Sequence, residues 1–338
     1  MARRYLLAAD VGGTKTAIAL AAAGPGPAII AQRVYASQDF SGLEEIVAHF
    51  LGRAEVGTRG TPIGAACFSV AGPVADNAST LTNLGWKVDG AALERAFRLP
   101  VARLINDFAA AGAGIASLTA ADIETLQAGH PVERGTRIVI GAGTGLGVCL
   151  LTWQKDGYHA YPSEAGHADF APVDELQDRL LVHLRRTFGR VSYERVVSGP
   201  GLMRIFSFLQ ESGAGMPSRQ LLDASHTRND TAELIAEFAT AKLDPLAVRA
   251  LDLFVAVYGA FAGNMALATL PGGGVFIAGG IAPKLASRLR EGDFIRAFAD
   301  KGRFRDLLAS LPVHVVKNPQ VGIYGALLEA ARLCGATR

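Results

Sequence analysis

The feature that most constrains the fold is one pattern that occurs twice: an apolar run, a glycine-rich turn and a second apolar run. The first copy is "YLLAADVGGTKTAIALAAA", from residue 5, and the second is "TRIVIGAGTGLGVCLLTW", from residue 136. Short apolar runs on both sides of a glycine turn predict a β-hairpin. Two halves that each begin with such a hairpin predict a duplicated α/β architecture.

Further elements are predicted after each hairpin. In the first half, "AIIAQRVYA" and "PIGAACFSV" predict strands, and Ser41 and Glu44 stand at capping-box spacing before a helical pattern. In the second half, "GGGVFIAGGIAPKL" predicts a strand that leads into a helix, and "LPVHVVKN" one more strand. "GIYGALLEAARL" predicts a C-terminal helix.

Composition excludes several classes of protein. The chain has 338 residues, enough for roughly two domains, and is 50% hydrophobic and 19% charged. Its net charge is +2 and no basic block stands out, so we expect neither a nucleic acid nor a membrane as partner. The Arg185-Arg186 pair is interpreted as a solvated helix face.

Cysteine usage and hydropathy indicate a cytoplasmic protein. The three cysteines, Cys67, Cys149 and Cys334, form no C-x-x-C unit, so neither a zinc site nor a disulfide framework is predicted. The first apolar run is interrupted by Asp10 and is too short for a signal sequence. The longest apolar segment contains Asn264 and ends in "PGGG", which favours a buried helix over a membrane span.

The two glycine turns are candidate phosphate-binding loops. Glycine in a hairpin has a purely structural explanation, since such turns need positive φ. However, bare backbone N–H groups also form a concave nest for anions, and both loops add a threonine hydroxyl. Asp10, just before the first loop, would repel a phosphate unless a cation such as Mg²⁺ intervened. We therefore predict that the loops hold two sides of a polyphosphate; no Walker A or G-x-G-x-x-G motif is present.

A second acid stands between a predicted strand and a predicted helix, in "LINDFAAAG". Asn106 and Asp107 suit a helix N-cap, because their oxygens accept hydrogen bonds from free backbone N–H groups. The alternative is that Asp107 is a catalytic base, which requires partner residues elsewhere in the chain.

Seven motifs in order from residue 10 to residue 304 resemble the bacterial glucokinase family, of the actin–hexokinase–Hsp70 superfamily. They are "DVGGT", "INDF", "GAGTGLGV", "EAGHADFAP", "ERVVSGPGL", "GGVFIAGGI" and "DKGRF". The resemblance implies an α/β, duplicated ribonuclease H-like (actin-like ATPase) fold with two domains and a cleft between them. It places residues 1–110 and 319–338 in a small domain and residues 111–318 in a large one.

The resemblance also implies an activity, the phosphorylation of glucose at its 6-hydroxyl by Mg-ATP, which would feed glycolysis. Asp107 matches the catalytic base, and Trp86 would border the sugar. The residues that would bind sugar hydroxyls are Asn83, Asn106, Asp107, Glu164, His167 and Glu194. Asp10 would hold Mg²⁺ through water. The residues that would contact ATP are Asp10, Gly12, Gly13, Thr14, Gly143, Thr144, Gly145, Gly279 and Gly280.

The sequence leaves other activities open. Lys15 and Ala165 depart from the family's usual "DVGGTN" and "EGGH", so another hexose, such as mannose, fructose or an amino sugar, is an alternative substrate. A non-catalytic sugar sensor and an actin-like or Hsp70-like nucleotide switch are further alternatives. Homodimerisation is implied by the family alone.

Overall fold

The structure is a computed structural model and describes residues 4–24, 26, 28–53, 62–155, 157–228 and 230–336. The strands are β1 (Tyr5–Val11), β2 (Lys15–Ala22), β3 (Ala28–Ala36), β4 (Ile63–Val70), β5 (Ala78–Leu81), β6 (Trp86–Asp89), β7 (Ala102–Asn106), β8 (Ile123–Gln127), β9 (Arg137–Ala142), β10 (Leu146–Gln154), β11 (Gly157–Ser163), β12 (Gly274–Ala278) and β13 (Val313–Val316).

The helices are α1 (Leu43–Leu51), α2 (Gly90–Phe97), α3 (Asp107–Gly114), α4 (Glu175–Phe188), α5 (Gly199–Glu211), α6 (Arg219–Ser225), α7 (Thr231–Thr240), α8 (Pro245–Thr269), α9 (Ala286–Arg290), α10 (Asp293–Ala299), α11 (Arg305–Ala309) and α12 (Val321–Ala336). Short 3-10 turns lie between several of them, including Ala165–His167 and Tyr193–Arg195.

The chain divides into two compact units. Unit 1 comprises Met1–Thr119, Gln154–Pro162 and Pro319–Arg338, and unit 2 comprises Ala120–Trp153 and Ser163–Asn318. These bounds differ from the predicted domains at residues 111–119 and 154–162. The contact of α3 with α12 places the end of α3 in unit 1: a Cβ atom on Gly114 would lie 2.0 Å from the carbonyl oxygen of Val321.

Both predicted hairpins form, and the first strand of each also pairs in parallel with a later strand of its unit. In unit 1 the strand order is β3-β2-β1-β4-β7, with β1 antiparallel to β2 and parallel to β4. In unit 2 the order is β10-β9-β12-β13-β8, with β9 antiparallel to β10 and parallel to β12. In both units a hairpin is followed by two parallel strand pairs, β1-β4-β7 and β9-β12-β13, which confirms the predicted duplication.

The sheet of unit 1 is covered by helices on both faces because successive side chains of a strand point to opposite sides. On β1, Leu7 packs in one cluster with Phe50 of α1, whereas Leu6 packs in another with Leu327 of α12. All of these side chains are fully buried. Trp86 also lies in the α1 cluster, where it is buried and packs as a core residue.

The core of unit 2 forms around α8. By length and composition α8 could cross a membrane, but 78% of its most apolar stretch is buried inside the protein. Gly259 and Gly263 of α8 allow α10 to approach closely, since a Cβ atom on either would lie within 2.3 Å of an α10 carbonyl oxygen. The long apolar segment is therefore a core helix, as predicted.

Candidate active site

Asp10 lies at the end of β1 in unit 1, and its carboxylate is enclosed by three elements. The hydroxyl of Ser69 on β4 donates a hydrogen bond of 2.9 Å to its Oδ1. A Cβ atom on Gly322, in the first turn of α12, would lie 2.8 Å from its Oδ2. Burial raises the pKa of Asp10 above its ordinary value, and the Ser69 hydrogen bond opposes that shift only partly. A bound cation would stabilise the charged carboxylate here.

The first glycine loop is fixed by its backbone and by Ser37. The N–H of Gly12 donates to the carbonyl oxygen of Lys15 at 3.0 Å, and the Ser37 hydroxyl donates to the carbonyl oxygen of Gly12 at 2.8 Å. The Ser37 N–H donates to the carbonyl oxygen of Thr14 at 3.0 Å. The side chains of Thr14 and Lys15 are exposed.

Neither Gly12 nor Gly13 adopts positive φ, so the prediction that this hairpin turn needs glycine for its backbone angles is wrong. At Gly12, a Cβ atom would approach the Lys15 carbonyl oxygen to 3.0 Å. At Gly13, it would meet only the side chain of Asn83, 3.6 Å away at its nearest atom. The fold therefore does not require glycine at position 13, and Asn83, predicted to bind sugar, lies beside this loop.

Asn106 is the N-cap of α3. Its Oδ1 accepts hydrogen bonds from the N–H groups of Phe108 at 2.9 Å and Ala109 at 3.2 Å. Its Nδ2 donates to the carbonyl oxygen of Gly72 at 3.1 Å. Asp107, the first residue of α3, is half-buried and accepts a hydrogen bond from the Phe108 N–H at 2.9 Å. The cap is thus supplied by Asn106, and the carboxylate of Asp107 is not needed for it.

The second glycine loop, Gly143–Gly145, lies in unit 2 against the start of α5. The N–H of Gly143 donates to the carbonyl oxygen of Gly145, and the N–H of Gly199 donates to that of Gly143, both at 2.8 Å. Gly143 lacks positive φ, and a Cβ atom on it would meet nothing within 4 Å. The space beside its Cα is therefore open to a ligand, whereas its N–H and carbonyl groups are both bonded within the fold.

Gly279 and Gly280, which are also predicted to contact ATP, follow β12. They lie beside the end of β9, where the second glycine loop begins. Gly279 has a φ of +83°, and a Cβ atom on it would lie 2.5 Å from the carbonyl oxygen of Ala142, so the fold itself requires glycine there. The N–H of Ile281 donates to that same carbonyl at 3.2 Å. Around Gly280, in contrast, the space is open.

The second glycine loop and the Gly279-Gly280 segment border a cavity of about 1110 Å³ that lies wholly in unit 2. Gly143, Thr144 and Gly280 line it, whereas Gly145 and Gly279 do not. Much of its wall is apolar, and the rim carries an ion pair between Lys284 and Glu233, 2.5 Å from Nζ to Oε1. The other residues that line the cavity include Gly199, Pro200, Leu202, Met203, Ala232, Ala236, Ile281 and Leu285.

The three remaining sugar-binding candidates converge beside the second glycine loop. His167 lies 3.9 Å from Oε2 of Glu164 and 4.0 Å from Oε1 of Glu194. The N–H of Leu146 donates to Oε2 of Glu194 at 3.0 Å, and a Cβ atom on Gly145 would lie 2.6 Å from that oxygen. Gly145 therefore makes room for Glu194 rather than for the cavity.

The cluster is anchored in the protein but accessible from outside. The side chains of Glu164 and His167 are 74% and 54% exposed, and that of Glu194 is 29% exposed. Behind Glu194, the hydroxyl of Tyr193 accepts a hydrogen bond of 2.8 Å from Asn264 of α8. Two carboxylates and an imidazole can accept from and donate to the hydroxyls of one polyol.

Several residues of the site carry no recognisable sequence signal. Ser37 contacts the first glycine loop, and Ser69 contacts Asp10, only because strands that are distant in sequence pair in a particular register. Gly322 approaches Asp10 from near the C-terminal end of the sequence. The cavity residues on α5 and α7 come together only in the fold. Of these, only the "SGPG" segment stands inside a motif quoted above.

Comparison with solved structures defines the class of protein. The glucokinase from an Antarctic psychrotroph aligns with a TM-score of 0.80 and 29% identity over 99% of both chains. A ROK family glucokinase from Streptomyces griseus, solved with glucose and AMPPNP, aligns with a TM-score of 0.65 and 20% identity over 97% of this chain and 99% of that one. The fold is that of the actin-like ATPase class of sugar kinases.

Sequence comparison then gives the family. The glucokinase family profile matches residues 7–333. The glucokinase of Trichormus variabilis is 42% identical over 342 residues, which cover 97% of this chain and 99% of the relative. The chain belongs to the glucokinase family.

Proposed function

We propose that this chain transfers the terminal phosphoryl group of ATP to the 6-hydroxyl of glucose. The observation that carries the proposal is the cluster of Glu164, His167 and Glu194, held against the same glycine loop that borders the large cavity. A polyol site beside a glycine-rich loop at the edge of a cavity of this size is what a sugar kinase needs. Membership of the glucokinase family points the same way.

Asp107 is the proposed catalytic base. Its carboxylate would accept the proton of the 6-hydroxyl as the oxygen attacks the γ-phosphorus and the bond to the β-phosphate oxygen breaks. The other product is ADP. Because Asn106 caps α3, it fixes the first turn from which Asp107 projects.

Hexose recognition is assigned to hydrogen-bonding side chains. We assign sugar hydroxyls to Asn83, Asn106, Glu164, His167 and Glu194. Buried polar groups that lose their partner are costly, so such a site discriminates against sugars that lack a matching hydroxyl.

ATP and Mg²⁺ fit the remaining candidate residues. The cavity in unit 2, with its apolar wall, suits an adenosine, and Gly143, Thr144 and Gly280 would contact the nucleotide. Gly12, Gly13 and Thr14 would contact phosphate oxygens. The carboxylate of Asp10 would hold Mg²⁺ through water; the ion, when bound, neutralises charge that develops on the phosphates.

The proposal is tested by initial rates with Mg-ATP against glucose, mannose, fructose and N-acetylglucosamine, with ADP and sugar phosphate both measured. We expect a clear preference for glucose, with one sugar phosphate formed per ADP. Preference for another of the four sugars would contradict the assigned substrate. ADP formation without sugar phosphate, or no turnover with any sugar, would contradict the kinase.

The cellular setting forms part of the proposal. Glucose 6-phosphate would enter glycolysis. Cys67, Cys149 and Cys334 are buried and form no disulfide with one another, which suits the reducing cytoplasm. We also propose a homodimer, as the family resemblance implies. Light scattering on the purified protein would test it, and a monomeric mass at micromolar concentration would contradict it.

A further inference from the structure

A pair of backbone segments holds the hexose-binding cluster together. The 3-10 turn Ala165–His167 and the 3-10 turn Tyr193–Arg195 are joined by a short antiparallel bridge between Asp169 and Ser192. The N–H of Phe170 donates to the carbonyl oxygen of Val191, and the N–H of Tyr193 donates to that of Ala168, both at 2.9 Å. The relative position of His167 and Glu194 therefore depends on how these segments pair.

Arg190 bridges acceptors at the end of this pairing. Its Nε lies 2.6 Å from Oδ1 of Asp169, and its Nη2 donates to the carbonyl oxygen of His167 at 2.7 Å. The guanidinium of Arg190 thus holds two acceptors, the carboxylate of Asp169 and the backbone carbonyl of His167. His167 is one of the proposed hexose-binding residues. The planar fork of arginine makes both bonds at once, which the single ammonium of lysine does not reproduce.

The position of Arg190 does not suggest a role in stability. Its side chain is 64% exposed and that of Asp169 is 74% exposed. Exposed ion pairs of this kind contribute little to folding because water screens them. The guanidinium instead restricts the backbone of His167, because it holds the carbonyl oxygen of that residue against the segment that carries Glu194.

We propose that Arg190 is a positioning residue for hexose recognition, which fixes the His167 turn against the Glu194 segment and so sets the spacing of the hydroxyl-binding groups. The inference rests on the proposed function, because it takes those groups to be the sugar ligands. Arg190 itself needs no contact with sugar or nucleotide.

The test uses Arg190→Lys, which keeps the charge and removes the fork. Arg186→Lys is the matched control, since Arg186 is an exposed arginine of α4 with no carboxylate within ion-pair distance among the described residues. Steady-state kinetics are measured for glucose and for ATP, glucose binding is measured without ATP, and thermal unfolding is recorded for each variant. Asp169→Asn tests the same arrangement with a second substitution, because it weakens the ion pair between Asp169 and Arg190.

We expect Arg190→Lys to raise both the KM and the Kd for glucose about tenfold, the effect of losing one charge-assisted hydrogen bond. The KM for ATP and the unfolding midpoint of this variant should stay at the wild-type values. Asp169→Asn should shift the glucose constants in the same direction, and Arg186→Lys should shift none of these quantities.

A wild-type glucose KM in Arg190→Lys would overturn the inference alone. So would equal losses for glucose and ATP together with a lower midpoint, which indicate a structural role. A wild-type protein that phosphorylates no glucose would overturn the proposed function first, and the inference with it.

Discussion

At the scale of single residues, Asp10 shows how a residue proposed for the active site can oppose stability. Its pKa is raised by burial. A carboxyl whose pKa is higher in the folded than in the unfolded state stabilises the fold at low pH, and this stability is lost as the pH rises through the folded-state pKa. Above its folded-state pKa, the carboxylate of Asp10 is therefore an unfavourable buried charge in the metal-free protein.

We predict that Asp10→Asn raises the unfolding midpoint at pH 7 in EDTA, because the amide keeps an acceptor for the Ser69 hydroxyl without the charge. ATP turnover should be lost in the same variant. Thermal unfolding from pH 4 to pH 8, in EDTA, measures the difference, which should grow with pH. A midpoint below that of wild type at pH 7 would contradict this account of Asp10.

Asn106 combines two roles that mutation can separate. Removing a helix N-cap costs about 1 kcal/mol, and serine is nearly as good a cap as asparagine. Asn106→Ala should therefore lower the free energy of unfolding by about that amount, whereas Asn106→Ser should restore it. If Asn106 also binds sugar, Asn106→Ser should still show a raised KM for glucose. Wild-type stability together with a wild-type glucose KM in that variant would limit Asn106 to capping.

At the scale of secondary-structure elements, the sequence predicts that both hairpins form. It does not predict which distant residues require glycine at particular positions. Both hairpins follow from local apolar patterning, which is encoded within a few residues. Gly145 and Gly322, however, face the carboxylates of Glu194 and Asp10, and these are distant in sequence. No local pattern reports such an approach.

The first helix shows the same limit. Ser41 and Glu44 stand at capping-box spacing, but α1 begins at Leu43 after Gly42, which makes no side-chain cap. Ser41 instead donates both its N–H and its hydroxyl to Glu45. The predicted capping box is wrong because two adjacent glutamates offer the serine alternative partners.

Close packing of α3 on α12 gives a prediction at this scale. A Cβ atom on Gly325 would lie 1.7 Å from the Ala110 carbonyl oxygen, so Gly325→Ala must push the two helices apart. We expect a loss of about 1–3 kcal/mol in the free energy of unfolding, and a lower kcat because α3 begins at Asp107. Urea unfolding and steady-state rates measure the two effects.

Gly335→Ala is the matched control in the same helix. A Cβ atom on Gly335 would meet nothing within 4 Å. Alanine there should stabilise the protein by about 0.5–1 kcal/mol, since it restricts the unfolded chain more than glycine does. Equal effects of the two substitutions would show that the contact between α3 and α12 does not limit stability.

At the scale of the whole molecule, the sequence predicts the duplicated architecture and the family, because the motifs recur in order along nearly the whole chain. It does not predict where residues 154–162 belong, since their place depends on tertiary packing rather than on local pattern. Nor does it predict the cavity wall, to which α5, α7 and the segment after β12 each contribute. Arg190 escapes notice for a related reason: one of its two partners is the backbone carbonyl of His167, which has no sequence signature.

We propose that this protein phosphorylates glucose with Asp107 as the base. The most direct measurement is the initial rate of glucose 6-phosphate formation from Mg-ATP by the wild-type protein and by Asp107→Asn, with glucose binding measured in parallel. We predict rapid formation by the wild type, a fall of about 10²–10⁴ in kcat for the variant, and glucose binding retained in both. A variant that turns over at the wild-type rate would contradict the assignment of Asp107, and a wild-type protein that binds glucose without phosphorylating it would contradict the function.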